Sequence, residues 1–271
     1  MQSVSHLGRC PSTQHGQLVP RRRASTVPAV EKLIYLLWKG SGRLATDEAA
    51  ALLGPVREQL AALDLRGLSM DVADADAAAV QLPLPPPADD PAPAALVSVW
   101  LDCHDDRGPV EAVLAPHADR IAGYLVTESI PTDYGDNEWA AARDWPDGAR
   151  SPGVVMLTLM EKPDRLADTE WYDRWYGTQT PMSTAIQPRT RYVRNAVARA
   201  LTEGAPPYRG IVEEAWPSIE HVNDPMLFYC ADGDEEVLAA NLTTMIDSVT
   251  AFLDLDRLRC AAMSEYLLVT P

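Results

Sequence analysis

The residues best suited to chemistry lie between positions 171 and 216. Glu214 stands two residues before Trp216 in an apolar stretch, Ile211 to Trp216, that reads as a strand. Period-two alternation puts Val212, Glu214 and Trp216 on one face. A carboxyl on the wall of a dry cavity has its pKa raised and can serve as a general acid or base. The plain alternative is a solvated or salt-bridged glutamate, with Arg191 or Arg194 as its partner. A second alternating stretch, Arg191 to Ala200, puts Arg191, Val193 and Asn195 on one side and Tyr192, Arg194 and Ala196 on the other. Asn195 is the preferred polar group of a cleft, with Arg191 near the mouth; an asparagine satisfying a loop carbonyl is the alternative. Gln179 can donate and accept, so it could polarise a carbonyl, but it cannot be a general base. A structural hydrogen bond at a helix end is its competing role. Trp171, Trp175 and Tyr176 recur at helical spacing. They either pack a helix onto a sheet or form, with Trp216, an aromatic wall for a flat organic ligand.

Other signals are weaker. His104 lies in Cys103-His104-Asp105-Asp106, with His117 thirteen residues on, and this is not a metal-ligand spacing. His221 suits a surface or helix-cap position before it suits a cavity mouth. Gly204, Gly210 and Gly233 build no phosphate loop, and GxGxxG, GxSxG and HExxH are absent. Neither a metal nor a nucleotide cofactor is expected. The chain has 23 Lys+Arg against 39 Asp+Glu in 271 residues, a formal charge of −16. That balance argues against nucleic acid and against an anionic membrane surface, both of which reward clustered basic residues. No apolar run approaches the ~20 residues of a membrane-spanning helix. The four cysteines, Cys10, Cys103, Cys230 and Cys260, form no CxxC pair and suit reduced thiols in a cytoplasm. Residues 1–28 contain Arg21-Arg22-Arg23, lack the apolar core of a secretory signal, and are expected to be a disordered tail.

These candidates need elements to position them. Residues 32–38 read as a buried strand. Thr46 offers an N-cap for an Ala/Leu-rich helix to about Leu63. Strands follow at 66–73 and 96–101, separated by a loop with six prolines between 81 and 93. A helix over 110–121 carries Pro116, which should kink or break it. A strand over 124–130 ends the first half, and 131–152 reads as a linker. The second half repeats the course: strand 154–160, helix from Asp168, strands 191–200 and 211–216, a short strand or approach to a helix at 227–231, helix 237–253 and strand 261–269. Val237, Leu238, Leu242, Met245, Ile246, Val249 and Leu253 give the long helix an apolar face. Arg43-Leu44-Ala45-Thr46-Asp47-Glu48 aligns with Arg165-Leu166-Ala167-Asp168-Thr169-Glu170. The order in each half is β-α-β-β-α-β. The expected fold is α+β: two tandem ferredoxin-like repeats, 29–130 and 153–271, packed sheet on sheet as a barrel within one chain. Alternate residues of the central strands would line the cleft.

Glu170-Trp171-Tyr172-Asp173-Arg174-Trp175-Tyr176-Gly177-Thr178-Gln179-Thr180-Pro181-Met182 resembles the first-helix signature of EthD-type domains, members of the dimeric α/β-barrel superfamily. Arg191-Tyr192-Val193-Arg194-Asn195 resembles the second strand of that family, and Gly210 to Trp216 the third. The resemblance covers residues 153–271, and residues 31–130 look like a degenerate copy. Two positions depart from the family pattern: Gln179 and Ala196 stand where members commonly carry histidine. The resemblance implies a cofactor-free cyclase, dehydratase or isomerase acting on a small hydrophobic or polycyclic carbonyl compound. Asn195 and Gln179 would donate to the developing oxyanion while Glu214 moves a proton, with Trp175, Tyr176, Arg191 and Trp216 around the substrate. The alternatives are a protein that binds such a compound without chemistry and, third, a haem-dependent oxygenase. The expected assembly is a monomer with an internal pseudo-dimer, or a homodimer.

Overall fold

The structure, a computed structural model, describes residues 30–87 and 90–270. The expected N-terminal tail and Cys10 lie outside the described residues. The chain begins with β1 (Glu31–Trp38), whose last seven residues are all buried. Both its faces are covered, which is why this stretch reads as a continuous apolar run instead of alternating. Ile34, Leu36 and Trp38 point into a barrel, while Leu33, Tyr35 and Leu37 pack under helices.

After β1 come α1 (Thr46–Ala51), a π-helical turn (Leu52–Val56) and α2 (Arg57–Ala61). Ala45, not Thr46, occupies the cap position, and the Glu48 side chain reaches back 2.9 Å to its amide. Strands β2 (Gly67–Val72) and β3 (Ala95–Leu101) follow. Then α3 (Gly108–Leu114) stops short of Pro116, which lies in a short 3-10 turn, Ala115–His117. β4 (Arg120–Thr132) ends the half. The second half runs β5 (Val154–Glu161), α4 (Asp168–Tyr172), a π-helical turn (Asp173–Gln179), α5 (Thr180–Ile186), β6 (Arg191–Ala200) and β7 (Tyr208–Trp216). It closes with α6 (Glu220–Asn223), α7 (Pro225–Phe228), α8 (Glu235–Phe252) and β8 (Arg259–Val269). The 227–231 stretch is therefore the end of α7 and an approach to α8, not a strand. His221 lies in α6 with its Nδ1 3.0 Å from the Ser218 hydroxyl.

All eight strands join one closed barrel in the order β1-β3-β2-β8-β5-β7-β6-β4. Every neighbouring pair is antiparallel. Within each half the strands neighbour in the order fourth, first, third, second, and the halves join at β2–β8 and β4–β6. Helices cover the outside. Trp171 and Trp175 bury there against Tyr192, Val212 and Phe252. One departure from the expected packing is α8. Its seat on the barrel is made by Met245 and Phe252, and Val237, Leu242 and Ile246 stay exposed. Among the described residues no helix is long and apolar enough to cross a membrane.

Residues 133–153 cross one end of the barrel. Ser151 donates its amide to the Glu265 carbonyl, Arg150 bridges to Tyr266, and the Tyr134 hydroxyl reaches the Glu265 side chain at 2.7 Å. This segment makes one end of the barrel a walled pocket.

Candidate functional site

The barrel interior is divided along its axis. One end is closed by Trp38, Leu36, Tyr124, Leu159 and Tyr208. The other holds polar side chains at inward positions: Lys32 on β1, Asp71 on β2, Arg191 and Asn195 on β6, Glu213 on β7 and Glu265 on β8. A cavity of about 300 Å³ opens above them at the end crossed by 133–153. Lys32, Arg191 and Glu213 form its polar floor, and Trp100, Tyr134 and Ile130 stand among its walls.

The contacts tie these groups into one network. The Asn195 amide donates to Glu213 Oε1 at 2.8 Å and to the Ile211 carbonyl at 3.1 Å. Lys32 Nζ lies 2.6 Å from Glu128 and 3.5 Å from Glu213, and 4.8 Å above the Trp100 ring. Arg191 donates to Asp133 at 3.0 Å and to Glu265 at 2.8 Å. No hydrogen bond reaches either Asp71 oxygen, and Glu213 is the foremost of the charges acting on it. Asn195 Oδ1 and the Ser98 hydroxyl are also buried without a partner.

Electrostatics separates the two carboxyls. Burial, with Glu213 and Glu265 beside it, pushes the Asp71 carboxyl well above the usual range. Burial would also raise Glu213, but the Lys32 and Arg191 charges and the Asn195 and Asp71 hydrogen bonds outweigh it and hold that carboxyl low. Burial likewise works against the Arg191 charge, but Glu265, Glu213 and Asp133 outweigh it and keep the guanidinium charged. The Tyr134 phenol is raised by burial and by Glu265, and stays a donor. The arrangement is a carboxylate held low on a cavity floor, flanked by two cations and backed by a second buried carboxyl. It can accept a proton from a ligand and stabilise a developing oxyanion.

The sequence expectations divide on which face of a strand is inward. Asn195 and Arg191 are in the site. Glu214 is on the opposite face of β7 from the cavity, where Arg189, not Arg191 or Arg194, holds it at 2.6 Å. Trp216 shares that outer face and stacks on Phe228 with centroids 4.4 Å apart. Trp175 is buried between helix and sheet, its indole 3.4 Å from the Tyr192 hydroxyl. Tyr176 lies outside the barrel under Arg194, whose guanidinium sits 4.0 Å from its ring. Gln179 reaches Met245 Sδ on α8 at 3.3 Å. The structure therefore does not bring Glu214, Gln179, Trp175, Tyr176 or Trp216 to the cavity. Lys32 and Glu213, which line it, and Asp71 and Glu265, buried in the barrel, carried one usable signal. Each is a charged residue in a strand rich in apolar residues, where a buried charge has to be paired.

Among the described residues, Glu31, Cys103 and His104 bring three possible metal donors within 4.8 Å of one another. Both imidazole nitrogens are already engaged: Nδ1 with Glu31 at 2.8 Å and Nε2 with Arg199 at 2.7 Å. Glu31 also accepts from the His104 amide at 2.6 Å, which lowers its pKa and closes the turn His104–Arg107. The cluster is a structural cap.

No sequence-family profile matches the chain, and no curated protein matches it. Solved structures do. An anthrone oxidase-like protein aligns over 88% of this chain and 92% of its own, with TM-score 0.53 and 10% identity. A "putative monooxygenase" from Lactobacillus acidophilus aligns over 89% and 96%, with TM-score 0.44 and 10% identity. A "putative chlorite dismutase" aligns over 88% and 94%, with TM-score 0.41 and 11% identity. The first of these is a likeness of fold alone. The other two carry no argument.

Proposed function

We propose that this chain is an EthD-like small-molecule-binding barrel whose two halves are tandem ferredoxin-like units, and that it acts without a cofactor on a compact carbonyl compound held in the mouth of the barrel. The observation that carries this reading is Glu213: an anion on the floor of a walled cavity, oriented by Asn195 and flanked by Lys32 and Arg191. Glu213 takes over the proton-moving role that the sequence assigned to its neighbour Glu214. It removes a proton from the carbon beside the carbonyl, while Lys32 and Arg191 stabilise the enolate oxygen. Such a proton transfer is common to isomerisation, dehydration and cyclisation. Trp100 and Tyr134 supply aromatic surface in place of Trp175 and Trp216.

A second reading, binding without turnover, is favoured by one observation. Both cations have carboxylate partners within the chain, Glu128 for Lys32 and Glu265 for Arg191, so neither needs a ligand for its counter-charge.

Native mass spectrometry of the purified protein, followed by turnover of any adduct by wild type and Glu213→Gln, tests both. The enzyme reading expects a small organic adduct and a loss of roughly 100-fold or more in turnover with binding retained. Equal turnover by the variant ends the proton-moving role. An adduct returned unchanged by wild type favours binding alone, and an added haem mass overturns the cofactor-free reading.

A further inference from the structure

We propose that Asp71 and Glu213 hold one proton between them, seated on Asp71 at rest, and that this proton lets Glu213 face the cavity as an anion. Asp71 is then a positioning residue that acts through Glu213.

The argument begins with a count of buried charge. Asp71, Glu213 and Glu265 are each at most 5% exposed. The cations facing them are Lys32 from β1 and Arg191 from β6. Three ionised carboxylates against two cations would leave an uncompensated charge in a dry interior, whereas one protonated carboxyl makes the set neutral. Glu128 on β4 and Asp133 beyond it add negative charge on the same two cations, although both reach solvent. They strengthen the case for a retained proton.

Geometry then says which carboxyl keeps it. Glu213 accepts from Asn195 and has Lys32 beside it. Glu265 accepts from Arg191 and from Tyr134. Asp71 alone of the three receives no hydrogen bond, and Glu213, buried in the same interior, is the foremost charge acting on it. A carboxylic acid needs an acceptor and a carboxylate needs donors, so Asp71 donates and Glu213 receives. Asp71 is not on the cavity wall, which separates it from a ligand by Glu213.

Its use in turnover rests on Glu213 being the group that meets the ligand. When Glu213 takes a proton, the ligand C–H bond breaks and its electron pair moves to the carbonyl oxygen. Asp71 keeps its own proton throughout. Return of the proton from Glu213 to another carbon of the same ligand restores the pair, with no oxidant or reductant needed.

Infrared spectroscopy of the intact protein in heavy water at neutral pH locates the proton with no ligand present, so it can fail independently of the proposed activity. Wild type should show the carbonyl stretch of a protonated carboxylic acid, and Asp71→Asn should lack it. In Glu213→Gln the band should move or vanish, because its ionic acceptor is gone. A wild-type spectrum without the band overturns the proposal, as does a band that Asp71→Asn keeps or Glu213→Gln leaves unmoved. Should Glu213→Gln not fold, Asn195→Ala serves instead. It strips a donor from Glu213 and should shift the same band, and an unmoved band there also overturns the proposal.

Discussion

Adjacent glutamates on β7 occupy opposite chemistries. Glu213 sits inside the barrel against Lys32 and Asn195, and Glu214 sits outside against Arg189. Glu214→Gln weakens only the outer pair, and Arg189 keeps Ser183 and Thr184 as acceptors. Denaturant melts should show a loss of about 1–3 kcal/mol, while any ligand adduct in native mass spectra stays unchanged. Arg191→Ala strips Glu265 of its cation in the interior and should cost about 3–5 kcal/mol in the same melts. The Asp71 carboxyl is raised on folding, so its protonated form belongs to the folded state. Its contribution is complete below the ordinary aspartate value, ~3.9, and is lost as pH climbs through the raised value. Asparagine does not titrate. The stability of Asp71→Asn relative to wild type should therefore improve steadily from acid to alkaline pH, and a difference that stays flat with pH would remove the titration from Asp71.

Helices and turns set where those strands can go. Both long helical segments that follow the first strand of a half pass through a π-helical turn, Leu52–Val56 and Asp173–Gln179. The aligned Arg-Leu-Ala segments before them made this correspondence visible in the sequence, although the π turns themselves left no mark there. Trp175 fills the space over Gly210, where an added Cβ would come within 2.9 Å of the indole. Trp175→Ala should cost about 3–5 kcal/mol by loss of packing, without touching the cavity. Gly153 leads the crossing segment into β5 with φ +79, and a Cβ there would stand 1.9 Å from the Trp216 carbonyl. Gly153→Ala combines left-handed backbone with an unavoidable backbone clash. A loss of about 2–5 kcal/mol is expected by thermal or denaturant melts. The exposed face of α8 shows the limit of periodicity. Helical spacing identifies an apolar stripe, but how much of it meets the barrel depends on how the helix is seated.

At the scale of the whole chain, closure is the controlling fact. Eight antiparallel strands leave no free edge, so the barrel needs no second copy to complete it. Native mass spectrometry and size-exclusion chromatography should give the mass of one chain, 29.6 kDa. A stable dimer would mean that another surface, such as the exposed side of α8, is used. The eight strands and most of the helices were readable along the chain, because strand and helix periods and turn residues are local properties. The pairing of Arg191 with Asn195 on one side of β6 was readable for the same reason. Period-two alternation, however, is symmetric: it sorts residues into two faces without saying which face is inside. Near β7 the tryptophan pointed to the wrong one, because Trp216 is buried under a helix just as deeply as Glu213 is buried in the barrel. Only the closing of β2 onto β8 and β4 onto β6 decides it. That closure brings Lys32 and Asp71 from one half to Arg191, Glu213 and Glu265 from the other, and their shared burial gives each carboxyl its charge state.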